Sequence, residues 1–269
     1  MTGREELEAA IGPSLARALD ASAFVGPSFS SGAAGSTNAL ASADLLFLFV
    51  DAAQLSPDTR LRQAAAVVAD GVRSDWPLAP GTATISIAMR SIDACLRASD
   101  VCGEEVDTHA LIADAVDELE RIVGPLYRPG EGIAHTVGSP GDRGGLADQV
   151  GTASALLTAH ALTGRLPYSM LAEELMRFAR RTCWPVAAET SSPEHFVAAC
   201  EVVRVECRLA TLHQDEDYRA SAVIGEEVDY PGEAEEILRS LSGGHRLHDV
   251  AVASEFGLAL SDWLSFRHG

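Results

Sequence analysis

Apolar and amphipathic stretches alternate along this chain, and each stretch has the length of a helix. Residues 39–54 are apolar almost all round, the pattern of a helix buried on every side. The next segment opens on Ser56-Pro57, a capping and first-turn pair, and runs to about Ser74. Leu61, Ala65, Val68 and Val72 form its stripe, with Arg62, Asp70 and Arg73 off it. Residues 83–98 are again small and apolar. Residues 107–123 follow an Asp107 cap with Leu111, Ala115, Leu119 and Ile122 on one face, leaving Asp114, Asp117, Glu118 and Arg121 for solvent. The apolar stretches 146–163, 193–213 and 248–265 alternate in the same way with amphipathic ones at 167–184 and 233–242. In 167–184, Leu171, Leu175 and Phe178 line up, while Glu173, Glu174, Arg177, Arg180 and Arg181 take the opposite side, with Glu173 four residues ahead of Arg177. One or two further helices are expected around Gly12-Pro13.

Such alternation predicts helical hairpins that each turn one helix to a shared centre and one to solvent. We expect an all-α chain folded as one domain over residues 1–269, an α/α toroid of about five hairpins. A helical bundle and an open solenoid are the competing arrangements. Ala172-Glu-Glu-Leu175 returns as Ala234-Glu-Glu-Ile237, a faint echo of repetition. The best strand signal is Gly132-Ile-Ala-His-Thr-Val-Gly138, one arm of a small β-hairpin inserted in a loop. Residues 128–145 would form a lid at the mouth of a central funnel.

Charge and residue usage narrow the function. A net charge of −19 argues against nucleic acid, whose phosphates need clustered cations. All 20 basic residues are Arg, so chemistry that depends on a lysine amine is excluded, including a pyridoxal Schiff base and a P-loop. Five cysteines without a CxxC spacing predict reduced, mostly buried thiols rather than a zinc site. Leu45-Leu-Phe-Leu-Phe-Val50, bracketed by Asp44 and Asp51, is too short to span a bilayer, and the charged start Met1-Thr-Gly-Arg-Glu-Glu does not look like a signal peptide. A cytoplasmic protein without membrane, metal or cofactor is the expectation; homo-oligomerisation is left open.

Gly144-Gly-Leu-Ala-Asp-Gln-Val150, then Ala155-Leu-Leu157, Thr163-Gly164 and Ala172-Glu-Glu-Leu175, closing on Trp184, resembles the helical, glycosidase-like region of the spermatogenesis-associated thioredoxin-domain proteins. More distantly the chain is similar to the N-acylglucosamine 2-epimerases and the six-hairpin glycosidase superfamily. The resemblance covers residues 126–184 and, through Tyr218-Arg219 and Ala234-Glu-Glu-Ile-Leu238, weakly extends to 264. It implies a six-hairpin barrel, here shortened or open because about ten helices are legible where twelve are needed. A thioredoxin-like partner follows only by analogy with the family, whose CxxC domain has no counterpart in this sequence.

The resemblance also implies that Asp148 and Gln149 match the family's Asp-Gln pair and face the funnel. His135, on the glycine-bounded strand, is suited to act as a general base at neutral pH. We expect Asp148 and His135 as the catalytic candidates, with Gln149, Arg143, Tyr127 and His160 as substrate contacts. Each has a structural alternative. Asp148 favours a helix start, Gln149 can tie down the preceding loop, and Arg143 can latch to Asp142 or Asp148. His160 can be a buried, hydrogen-bonded residue. Glu131 has no partner assignable from sequence. A glycosidase would need two flanking carboxylates, and Asp44, Asp93, Asp148 and Glu201 lie on the apolar helices. Two functions follow: a carbohydrate-active or other small-molecule enzyme, epimerase-like or glycosidase-like, or a non-catalytic binding or interaction module on the same framework.

Overall fold

The computed structural model describes residues 35–103, 106–183, 192–221, 228–242 and 250–268. The helices expected around Gly12-Pro13 and the closing Trp184 lie outside the described residues. Those described are all-α with one small antiparallel sheet. They fall into two compact units, one made of the residues up to Leu126 with Ala134–Asp142, the other of Tyr127–Ile133 with Arg143 onward.

In the first unit, helices α1 (Gly35–Leu55) and α3 (Ile85–Cys102) pack side by side, and α2 (Thr59–Ser74) lies against both. Helix α4 (Thr108–Leu126) packs mainly on α3. Phe49, Leu46, Met89, Ile92 and Leu96 are fully buried, as the all-round apolar stretches require. Arg90 of α3 pairs with Asp44 of α1 and lies over the Phe47 ring, 4.8 Å from its centroid. On α4 the stripe Leu111, Ala115, Leu119 and Ile122 is buried, and Asp107 caps the helix by accepting the Ala110 N–H at 3.1 Å.

Two local readings change. Helix α2 is capped by Asp58, which accepts the Arg60 N–H at 3.0 Å, so Ser56-Pro57 precedes the helix. Glu118, expected on the solvent side of α4, is only 4% exposed. It accepts the Leu78 N–H at 2.9 Å and is gripped by Arg121, whose Nη2 also donates to the Leu78 carbonyl at 3.1 Å. A long carboxylate at a stripe's margin turns inward when a loop N–H offers it a bond, because an unpaired buried N–H is expensive.

In the second unit, α5 (Leu146–Thr163) is buried nearly all round and packs on α6 (Leu166–Thr182) and α7 (Pro193–Leu212). The short connection through Gly164, left-handed at φ 67°, returns the chain for α6. A short helix, α8 (Glu216–Ser221), follows α7. Helices α9 (Tyr230–Ser242) and α10 (Val250–His268) both pack on α7. Their core joins Phe196, Val203 and Cys207 of α7 to Ala234, Leu238 and Leu241 of α9 and Ala259 of α10. In both units the apolar helices neighbour one another and each amphipathic helix rests on the apolar helix before it in the chain.

The sheet has the order β1 (Tyr127–Arg128), β2 (Gly132–Thr136), β3 (Ser139–Arg143), with Tyr127 opposite Ile133 and Arg128 opposite Gly132. The strand expected at 132–138 is therefore the middle one of three. Among the described residues no helix is long and apolar enough to cross a membrane, and no group of three or more His, Cys, Asp and Glu side chains is arranged to hold a metal ion.

All five cysteines are free; Cys183 is half-buried and the other four are buried. Burial raises the thiol of Cys95 far above its usual range and pushes those of Cys200 and Cys207 up to about 12. In the native protein at pH 8, a thiol reagent should label Cys183 within minutes and the other four only on the timescale of unfolding. Peptide mapping of the labelled protein checks this. Equal labelling of Cys200 and Cys207 would show that the α7–α9–α10 core is open.

Candidate functional site

The polar loop before α5 is built around one side chain. Gln149 is 0% exposed, and its amide spans the turn: Oε1 accepts the Ile133 N–H at 2.9 Å, and Nε2 donates to the carbonyls of Ile133 and Gly144, both at 3.0 Å. Gly132, just before this contact, has φ +72°, which disfavours any side chain. A Cβ there would lie 2.5 Å from Gln149 Oε1 and 2.6 Å from the Phe178 ring. The backbone of β2 thus approaches α5 and α6 as closely as it can.

Asp148, 2% exposed, sits in the first turn of α5 and accepts the Gly145 N–H through Oδ2 at 2.9 Å. That bond and the helix dipole together hold a carboxylate at a helix start. Arg143 donates to the Gly132 carbonyl at 3.4 Å and pairs with Glu131 at 3.2 Å. Glu131 thereby gains the partner that sequence could not assign. Tyr127, on β1, is half-buried; burial raises its phenol above the usual range, and the nearby Glu174 carboxylate adds to this. His160 stands near the far end of α5, half-buried, with Nδ1 3.2 Å from the Arg165 carbonyl and its ring 6.1 Å from that of Tyr218. His135 is exposed on β2 and belongs to the first unit, whereas Tyr127, Arg143, Asp148, Gln149 and His160 belong to the second.

Each of the acids weighed as a glycosidase pair has a partner. Asp44 pairs with Arg90, Asp93 with Arg97 at 3.1 Å, and Glu201 with Arg204 at 3.3 Å, while Asp148 caps α5.

A polar network that periodicity did not reveal lies among α6, α7, α8 and α9. Glu173, placed by its spacing on the solvent side with Arg177, is 5% exposed; its Oε1 accepts the Tyr218 hydroxyl at 2.8 Å and lies 2.9 Å from His213 Nε2. Arg177 instead pairs with Glu174 at 3.3 Å. Arg180 reaches inward, with Nη2 2.6 Å from Glu206 and Nε 2.7 Å from Glu233, and stacks 5.0 Å from the Tyr230 ring centroid. Burial raises the phenols of Tyr218 and Tyr230 well above their usual range. The faint second Ala-Glu-Glu segment, Ala234-Glu-Glu-Ile237, begins one residue after Glu233 and does not itself mark this network.

No protein-family model matches the chain, and no curated protein matches it.

The saturated Gln149 amide makes a measurable claim. Gln149→Ala strands the buried Ile133 N–H and Gly144 carbonyl, which should cost about 2–4 kcal/mol in chemical denaturation. A glutamine waiting in solvent for a ligand would cost under about 0.5 kcal/mol. Asp148→Ala should cost about 1–2 kcal/mol as the loss of a helix cap.

Proposed function

We propose that this chain is a binding or interaction module without turnover of its own, built on the helical framework of the six-hairpin glycosidase-like proteins that its Leu-Ala-Asp-Gln segment resembles. One observation carries the reading: the Asp-Gln pair that would serve a substrate is spent inside the fold. Gln149 makes three hydrogen bonds to backbone, and Asp148 is held at the start of α5. Engagement of Asp44, Asp93 and Glu201 by arginines supports it further, because a catalytic carboxylate must present an oxygen to the reacting bond.

A second reading, an enzyme acting on a carbohydrate-like small molecule through acid/base chemistry, keeps the support of one residue. His135 stands exposed on β2, where a solute can reach its imidazole. In that reading His135 is the base.

Incubating the protein with a panel of neutral and phosphorylated sugars, followed by proton NMR, separates the two. The module reading expects no epimerised, isomerised or hydrolysed product over a day. Product that disappears with both His135→Ala and Asp148→Asn, in variants that still show the parent's circular dichroism, would overturn it in favour of the enzyme.

A further inference from the structure

Arg180 is the meeting point of three helices in the second unit. It projects from α6, accepts the company of Glu206 from α7 and Glu233 from α9, and lies over Tyr230 of α9. With both glutamates ionised, this trio holds two negative charges against one positive. Glu206 is 0% exposed; its Oε1 takes the Arg180 bond, while Oε2 is shut off from solvent and has no hydrogen-bond partner among the described residues. Leaving an ionised oxygen bare in the interior costs several kcal/mol by general experience with buried charges. Among the described residues the neighbouring groups add no second cation: Tyr230 and Cys207 approach as neutral groups, Glu173 on α6 adds negative charge near Tyr230, and the His213 ring packs 5.1 Å from Tyr230 while bonded to Glu173. On the α10 side of α7, Asp262 is taken by Arg204 at 2.9 Å, and α8 contributes Tyr218, bound to Glu173.

We infer that Glu206, Arg180 and Glu233 form a proton-operated latch that holds α9 against α6 and α7. One proton on the glutamate pair makes the trio neutral and closes it. Losing that proton sets two carboxylates against each other across one guanidinium. Glu233, whose side chain is 36% exposed, is the partner able to withdraw to water, and α9 loosens with it. Helix α9 also supplies Ala234, Leu238 and Leu241 to the core above Cys207 and Val203, so opening the latch uncovers an apolar surface.

Burial pushes the Glu206 carboxyl up to about 8, against the pull of Arg180, and Glu233 on the same guanidinium raises it further. The sign follows. A carboxyl raised above its ordinary value of 4.5 contributes stability that is complete below that value and is lost as pH rises through about 8. Because the proton is shared by a coupled pair, the transition belongs to the pair and not to one residue.

Hydrogen exchange read by mass spectrometry tests the latch on the whole chain between pH 6 and 9, with each rate divided by that of the unstructured peptide at the same pH. Protection of peptides from 230–242 should fall roughly tenfold from pH 7 to 9, while peptides from α3 and α4 hold theirs. Glu206→Gln, which mimics the protonated acid, should keep α9 protected across the range. Glu233→Gln leaves one ionised carboxylate for Arg180 and should flatten the profile too, and it decides the matter if Glu206→Gln fails to fold. A flat parent profile, or the same fall in the folded variants, overturns the latch.

Discussion

The amide of Gln149 is the contact on which the polar loop depends. A three-stranded ribbon this short cannot hold itself together in water, since its few ladder bonds do not offset the entropy of ordering it. Its central strand nonetheless enters the interior, where Ile133 and Gly144 must satisfy their backbone groups. A primary amide carries two N–H donors and a carbonyl acceptor on separate atoms, and Gln149 uses both ends, from the first turn of a helix that is itself immobilised on several sides. Remove that amide, and the Ile133 N–H and the Gly144 carbonyl lose their side-chain partner in the interior. The neighbouring features follow from it: the glycine at 132, the arginine latch onto its carbonyl, and the acid that fixes the helix start.

The helical plan was legible because periodicity reports burial of carbon directly. Stripes such as Leu111, Ala115, Leu119 and Ile122 fall where their spacing puts them, and residues 146–163 are enclosed as their composition demands. The same logic fails at the margins of a stripe. Glu118 and Glu173 have the letters of solvent-facing residues, yet each is drawn inward by a partner some forty residues away: a loop N–H in one case, a tyrosine hydroxyl and a histidine in the other. No local pattern encodes such a partner. The short helix α8, which delivers Tyr218, was missed for the same reason, its six residues being too few to show a period. For the loop, sequence identified the residues that matter and left their jobs undecided between substrate and structure; hydrogen-bond saturation is a property of three dimensions only.

A chain that uses arginine for every cation gains a particular kind of interior. Guanidinium offers several donors in one plane and keeps its charge under burial, so a single side chain can bridge acids from different helices. Arg180 joins α7 to α9, Arg204 joins Glu201 to Asp262 on α10, and Arg121 holds a glutamate and a loop carbonyl together. An ammonium group in these places would satisfy fewer partners and lose its proton more readily when buried.

The close approach at Gly132 has a consequence for descent. A side chain at 132 would need space now filled by Gln149 and by the ring of Phe178, two residues on different helices. Positions 132, 149 and 178 therefore form one heritable unit. A lineage that loses the glycine must also shrink the aromatic and abandon the amide, and with the amide goes the anchoring of the strand. Sequences that keep this loop should keep all three together, and sequences that change one should show the others changed as well.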